Sequence, residues 1–266
     1  LAACIGNQFD LTTLSVVYEQ SPTATASLLW PAIQAGLIIP TSEVYKFYQA
    51  QAQPQRGQAQ QSPKPVLSGA VLSEPILSEA IPDERLSLST YRFLHDRVQQ
   101  AAYSLIPERQ KQSIHFKVGQ RLLQVLSPEE QSEKLFEIVN QLNVGATLVT
   151  GSAEKLQLIR LNLAAGRKAK AATAYEAAVR YVQTGRALLD KGSWQREYEL
   201  TRSLYEEAAE VAYLNTDFDQ SEQLSAEVLQ HAKTLLDKIN ASITKIQSNI
   251  AQSKLIEAIQ IRPVAK

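Results

Sequence analysis

Three kinds of residue in this sequence invite a chemical reading. They are a His-Asp pair, His95-Asp96, within "YRFLHDRVQQAAYSLIP"; adjacent carboxylates at Glu129-Glu130 and Glu206-Glu207; and a single cysteine, Cys4. A His-Asp pair performs acid–base chemistry when the carboxylate orients the imidazole toward a nucleophile, and no nucleophile motif accompanies this one. Two carboxylates act as acid and base only if they converge on one substrate, which sequence neighbours do not; a first helical turn or a solvated face accounts for both pairs. Cys4 has no nearby base and reads as a small buried hydrophobe. The histidines, His95, His115 and His231, fall in separate helical contexts with no second histidine four residues on, so no metal site is predicted. No stretch matches G-x-x-x-x-G-K-[ST], so the chain is expected to carry no catalytic residue and no cofactor of its own.

The composition narrows the partners. Lys plus Arg and Asp plus Glu number 27 each, which leaves no summed field to draw nucleic acid or an acidic membrane. One cysteine excludes a disulfide framework and fits a reducing cytoplasm. No apolar run approaches the roughly 20 residues of a spanning helix, so the expected location is cytoplasmic. The chain has no methionine, and "LAACIG" reads as the last turns of a helix already under way, so it is expected to be a piece of a longer protein.

The elements that must position these residues are nearly all helices. Gly6 can end a first helix, Asp10 can cap a second carrying Leu11, Leu14 and Val17, and Ser21-Pro22 opens a third that stops at Gly36. Val44 to Tyr48 and Ser89 to Leu94 have strand composition and are expected to pair as a hairpin. Residues 49–88 are Gln- and Pro-rich, with "VLSGAVLSEPILSEAI" as an imperfect short repeat, and are expected to form a disordered insertion. The order helix, helix, helix, strand, strand, helix over 1–106 is that of a winged helix, which raises DNA binding. Its reading helix, Ser21 to Gly36, holds no Lys, Arg or Asn to meet phosphates.

Beyond Asp96 the pattern is helical throughout. "SPEE" at Ser127 to Glu130 is a capping box, and helices are predicted at about 152–173, 174–190, 195–215, 218–237 and 240–260. "AYEAAVRYVQTGRALL" and "DFDQSEQLSAEVLQHAKTLL" superimpose with Tyr175 opposite Phe218, 43 residues apart. Small residues with aromatics beside them suit stacked antiparallel helix pairs, at a spacing longer than the roughly 34 residues of a tetratricopeptide repeat (TPR). The fold class expected is therefore mainly α: a winged-helix-like subdomain with a small β-hairpin over 1–126, then a TPR-like array over 127–266 that continues past the C-terminus.

Several segments carry a family resemblance: "LAACIGNQFDLTTLSVVYEQSP", "LLWPAIQAGLIIP", "YRFLHDRVQQAAYSLIPERQKQSIHFKVGQRLL", "EKLFEIVNQLNVGA", "LNLAAGRKAKAATAYEAAVRYVQTGRALL" and "YEEAAEVAYLNTDFDQSEQLSAEVLQHAKTLLDK". Together they resemble the region after the nucleotide-binding core in large cyanobacterial signalling proteins that join a Ser/Thr kinase, an AAA-type ATPase, helical repeats, a GAF domain and a histidine kinase. That ATPase resembles the STAND class of switches, in which a winged helix closes onto the nucleotide domain and helical repeats sense or scaffold. The resemblance implies a regulatory part of such a switch. Its partners would be the upstream ATPase and kinase domains, the downstream GAF and histidine kinase domains, and other signalling proteins, with no nucleic acid and no membrane. ATP or ADP would belong to the parent protein. Leu94-His95-Asp96 resembles the Met-His-Asp motif of plant and animal STAND proteins, whose His contacts the β-phosphate of ADP. That implies a phosphate contact for His95, while Asp96 reads more simply as a helix cap. The alternatives are a free-standing helical-repeat interaction module and, less favoured by the residues, a DNA-binding winged helix.

Overall fold

The computed structural model describes residues 1–41 and 89–261. These are mostly helical, with one small three-stranded antiparallel sheet, and they fall into two units, Leu1–Leu126 and Ser127–Lys266. The expected insertion at 49–88 and the expected strand at 44–48 lie outside the described residues.

In the first unit, helix α1 (Ala2–Ile5) ends at Gly6 and is followed by strand β1 (Gln8–Asp10). Asp10 then caps helix α2 (Leu11–Tyr18), its Oδ1 accepting from the Thr13 N–H at 2.6 Å. Ser21 does the same for helix α3 (Pro22–Gln34), which runs unbroken through Pro31. Gly36 at φ 69° takes the left-handed conformation that lets the Leu37 N–H reach back to the Ala32 carbonyl at 2.9 Å, turning the chain into strand β2 (Ile38–Pro40).

Strand β3 (Thr90–Phe93) lies between β1 and β2 and is antiparallel to both, with Phe9 opposite Tyr91 and Ile38 opposite Phe93. Of the expected hairpin, the strand within Ser89 to Leu94 is found, and among the described residues it is the centre of a three-stranded sheet. β1 and β2 are three residues each, too short to display the alternation by which a strand is read. β1 is held by the packing of Phe9, which stacks on Tyr91 at 5.9 Å and meets Phe93 at 5.8 Å, and β2 by Ile38, buried in the same core. Helices α4 (Asp96–Ser104) and α5 (Glu108–Val125) complete the unit, α5 burying Val118 and Leu122.

In the second unit Ser127 and Glu130 form the full capping box. The serine Oγ accepts from the Glu130 N–H at 3.3 Å and the glutamate carboxylate accepts from the Ser127 N–H at 2.8 Å. This opens α6 (Pro128–Glu133), which runs into α7 (Leu135–Val144). Three helical hairpins follow. Helix α8 (Ser152–Ala171) pairs with α9 (Tyr175–Ala187). A short α10 (Ser193–Arg196) leads into α11 (Tyr198–Leu214), which pairs with α12 (Phe218–His231), and α13 (Ile239–Ala251) pairs with α14 (Leu255–Gln260).

One turn closes all three hairpins. Thr173, Thr216 and Ser253 sit at φ 58°, 63° and 60°. The next residue's N–H donates five residues back in each case, from Ala174 to Ala169 and Asp217 to Ala212 at 2.9 Å, and from Lys254 to Asn249 at 2.8 Å. Tyr175, Phe218 and Leu255 accordingly each begin a second helix. The third hairpin corrects the single helix expected at 240–260, which breaks where Ser253 turns left-handed. The helix expected at 218–237 ends at His231. Beyond it the Asp237 carboxylate accepts from the Lys233 and Thr234 N–H groups at 3.1 and 3.0 Å and from the Tyr198 hydroxyl at 2.6 Å, holding a loop instead.

Small residues let the hairpins close. Ala165, Gly166 and Ala169 on α8 correspond in turn register to Ala208, Ala209 and Ala212 on α11, and all six are buried. The first helices of the hairpins form a row, α8 beside α11 beside α13, with α9 packed against α11 and α12 against α13. Among the described residues no helix is long and apolar enough to cross a membrane.

Candidate functional site

His95 stands where β3 hands over to α4. The Phe93 N–H bonds to the Asn7 carbonyl and the Leu94 N–H to the Leu37 carbonyl, both at 2.9 Å, so the chain is held as sheet up to the corner. His95 remains extended (φ −144°, ψ 153°), and its carbonyl accepts the first helical bond from the Val98 N–H at 2.9 Å. It therefore occupies the N-cap position, and its imidazole makes no capping bond and is exposed. The expectation that Asp96 caps the helix is corrected: Asp96 is the first helical residue, where its exposed carboxylate gains only from the positive end of the helix dipole. One imidazole beside a carboxylate that repels phosphate does not make a phosphate site by itself; any nucleotide contact needs most of its donors from elsewhere.

The other residues singled out by type lie apart. Glu130 is used in the capping box and Glu129 is exposed in the same turn. Cys4 is buried, which pushes its thiol up and away from the reactive thiolate. His115 is buried with its Nε2 at 3.0 Å from the Tyr103 hydroxyl. His231 lies flat on Trp194, ring centroids 4.5 Å apart at an interplanar angle of 4°. Among the described residues no three His, Cys, Asp or Glu side chains gather as a metal-holding group.

Glu206 and Glu207 do meet a shared feature, a polar groove of about 280 Å³ along the row of first helices. Arg167 of α8, Glu206, Glu207 and Glu210 of α11, and Asn240 and Gln247 of α13 line it. The two adjacent carboxylates turn to different partners. Glu207, 6% exposed, accepts from Arg167 Nε at 3.2 Å and pairs with Lys170 Nζ at 2.8 Å. Glu206 accepts from Arg202 at 2.9 Å and from the Asn240 amide at 3.2 Å. Lys170 also reaches Glu210 at 2.7 Å, and Arg202 reaches Glu199 at 2.7 Å.

The bonds from Arg167 and Lys170 to Glu207 and Glu210, and from Asn240 to Glu206, tie neighbouring hairpins together, while the pairs of Arg202 with Glu199 and Glu206 lie within α11. Burial alone would lower the Lys170 ammonium, but the hydrogen bonds it donates to Glu207 and Glu210 outweigh that and hold the group above its ordinary value. The Arg202 guanidinium shows the same balance, burial against Glu199 and Glu206. Every carboxylate in the groove is engaged by a cation or an amide, so the groove offers oriented charge and hydrogen-bonding groups rather than a free acid or base. Reading the sequence for adjacent pairs missed Arg167, Lys170, Arg202 and Asn240. The available signal was a basic pair three apart on one helix, Arg167 and Lys170, facing an acidic pair three apart on the next first helix, Glu207 and Glu210.

No protein-family model and no solved structure matches the chain. It is 28% identical over 259 residues to the hybrid signal transduction histidine kinase G of Dictyostelium discoideum, a similarity that covers 88% of this chain and 7% of that protein. The chain thus spans a small fraction of the length of the curated relative it matches.

Proposed function

We propose that the chain is a regulatory and scaffolding part of a signalling protein and is not itself an enzyme. The observation that carries this reading is the row of three hairpins closed by one repeated turn, whose first helices present a continuous polar groove of pre-paired charges. Such a surface suits docking, since its groups are already oriented and lose little entropy on binding. The similarity to a signal transduction histidine kinase supports a signalling context.

In the finer form of the proposal, residues 1–126 act as a winged-helix-like subdomain and residues 127–266 as a TPR-like array. Both belong to a STAND-like ATPase protein that carries kinase, GAF and histidine kinase modules. ADP or ATP binds the ATPase core of that parent, and the winged-helix-like unit closes on it. His95, exposed at the start of α4 with an uncommitted imidazole, supplies one donor to a phosphate whose other ligands come from the core. The test is His95→Ala in the full-length protein, followed by release of a fluorescent ADP analogue and by signalling output. Faster release with an intact fold is expected. Unchanged release and output would remove the nucleotide contact from the proposal and leave the scaffold.

A further inference from the structure

Helix α8, an internal member of the row of first helices, is strongly basic. Its cations Lys155, Arg160, Arg167, Lys168 and Lys170 stand against one carboxylate, Glu154, in the first turn. The exposed face of the helix carries Gln157, Arg160, Ala164, Arg167, Lys168 and Ala171, which include three of those cations and no carboxylate. On other helices Lys111 is balanced a turn away by Glu108, Arg180 by Glu176, and Arg202 by Glu199 and Glu206. Arg160 has Leu156, Gln157, Leu163 and Ala164 at those positions, and among the described residues its side chain makes no ion pair or hydrogen bond. Arg167, whose side chain is 54% exposed, commits only its Nε, to Glu207, which leaves both terminal guanidinium nitrogens uncommitted. Lys168 is held by the Ser132 and Glu133 carbonyls.

The groove beside Arg167 has its acceptors in use. Glu206 engages both carboxylate oxygens, with Arg202 and Asn240, Glu207 both, with Arg167 and Lys170, and Glu210 one, with Lys170. What this surface has left over is donors, on the guanidinium groups of Arg160 and Arg167. We infer that the exposed face of α8 binds an extended acidic segment of a partner protein, with one carboxylate on each arginine. This deepens the docking reading above and rests on it. A guanidinium takes a carboxylate through two parallel hydrogen bonds, so two arginines fix both the place and the spacing of the acids. Arg160 and Arg167 are two turns apart, about 10 Å along the helix. Residues three apart in a polyproline II chain share one face at about 9 Å, so the spacing selects an acidic residue at every third position. Exposed Ala164 between the arginines carries only a methyl group, which lets the backbone of such a segment approach the helix. Nucleic acid or an anionic membrane fits less well, because closely spaced phosphates would also meet Glu206, Glu207 and Glu210 in the adjoining groove.

The test is a titration of the 266-residue protein into a fluorescent peptide of repeated Glu-Pro-Ala triplets, followed by anisotropy at low salt. Binding is expected, and Arg160→Glu should weaken it about tenfold with the circular dichroism unchanged, since Arg160 is exposed and has no partner to lose. A peptide of the same composition with its glutamates consecutive should bind several-fold more weakly. An unchanged affinity in Arg160→Glu, no loss on clustering the glutamates, or tighter binding to duplex DNA overturns the inference. Equal or tighter binding of the matching Gln-Pro-Ala or Lys-Pro-Ala peptide overturns the acidic specificity and keeps the row of first helices as a docking surface. Binding of none of the three peptides overturns the inference and removes that docking surface with it.

Discussion

Replacing Gly166 with alanine sets two effects of opposite sign against each other. In a helix interior alanine is favoured over glycine by about 1 kcal/mol. At this position the new Cβ would lie 2.7 Å from Val182 Cγ1 and 3.6 Å from the Ala178 carbonyl oxygen. Val182 is 1% exposed, and a β-branched side chain in a helix has one favoured rotamer, so it has little freedom to withdraw. Overpacking of this kind costs about 1–3 kcal/mol, which leaves a net loss of ~1 kcal/mol and lowers the unfolding midpoint by about 3–5 °C. The second hairpin shows the compensation: in turn register Gly166 becomes Ala209 and Val182 becomes Ser225, a larger residue facing a smaller one. Val182→Ala in the Gly166→Ala background should therefore recover about 0.5–2 kcal/mol relative to the sum of the single changes. Urea unfolding followed by circular dichroism measures all four proteins. A Gly166→Ala protein more stable than wild type, or strictly additive single effects, would refute the packing argument.

Other expectations follow from single side chains. Ser127→Ala removes half of the capping box and should cost ~1 kcal/mol, read by the same unfolding experiment. The Tyr198 hydroxyl, with the N–H groups of Thr234 and Lys233, holds the Asp237 carboxyl below its ordinary value. Its contribution to stability is thus present above the ordinary carboxylate pKa and lost as the pH falls through the lower folded-state value. Asp237→Asn should flatten that part of the acid profile, and an unchanged acid profile would contradict it. His95→Ala should leave stability within ~0.5 kcal/mol, because the exposed imidazole makes no capping bond; a large loss would show it to be structural.

How much was legible in the sequence follows the range of each interaction. Asp10, Ser21, Ser127-Glu130 and Gly36 act within one turn of their own position, and each is found in its expected local role. The sheet was partly hidden, since β1 and β2 gain their register from Phe9, Tyr91 and Phe93, partners distant in the chain. The third hairpin was hidden because serine at 253 gives no warning of a left-handed turn, whereas its equivalence to Thr173 and Thr216 is plain once the turns are aligned. The loop after His231 depends on Tyr198 and Asp237, which lie on separate elements. The groove was least legible, since Arg167, Lys170 and Glu207 meet only when α8 and α11 pack. Adjacent Glu206 and Glu207 drew attention for a chemistry they do not share, each serving a different cation.

The proposed regulatory role, in its nucleotide-linked form, is tested most directly by calorimetry. The chain is titrated into the nucleotide-binding core that the proposal places in its parent protein, loaded with ADP or with a non-hydrolysable ATP analogue. The account predicts binding that is tighter to the ADP form and weakened there by His95→Ala. Equal affinity for both forms, or no binding to either, would contradict it.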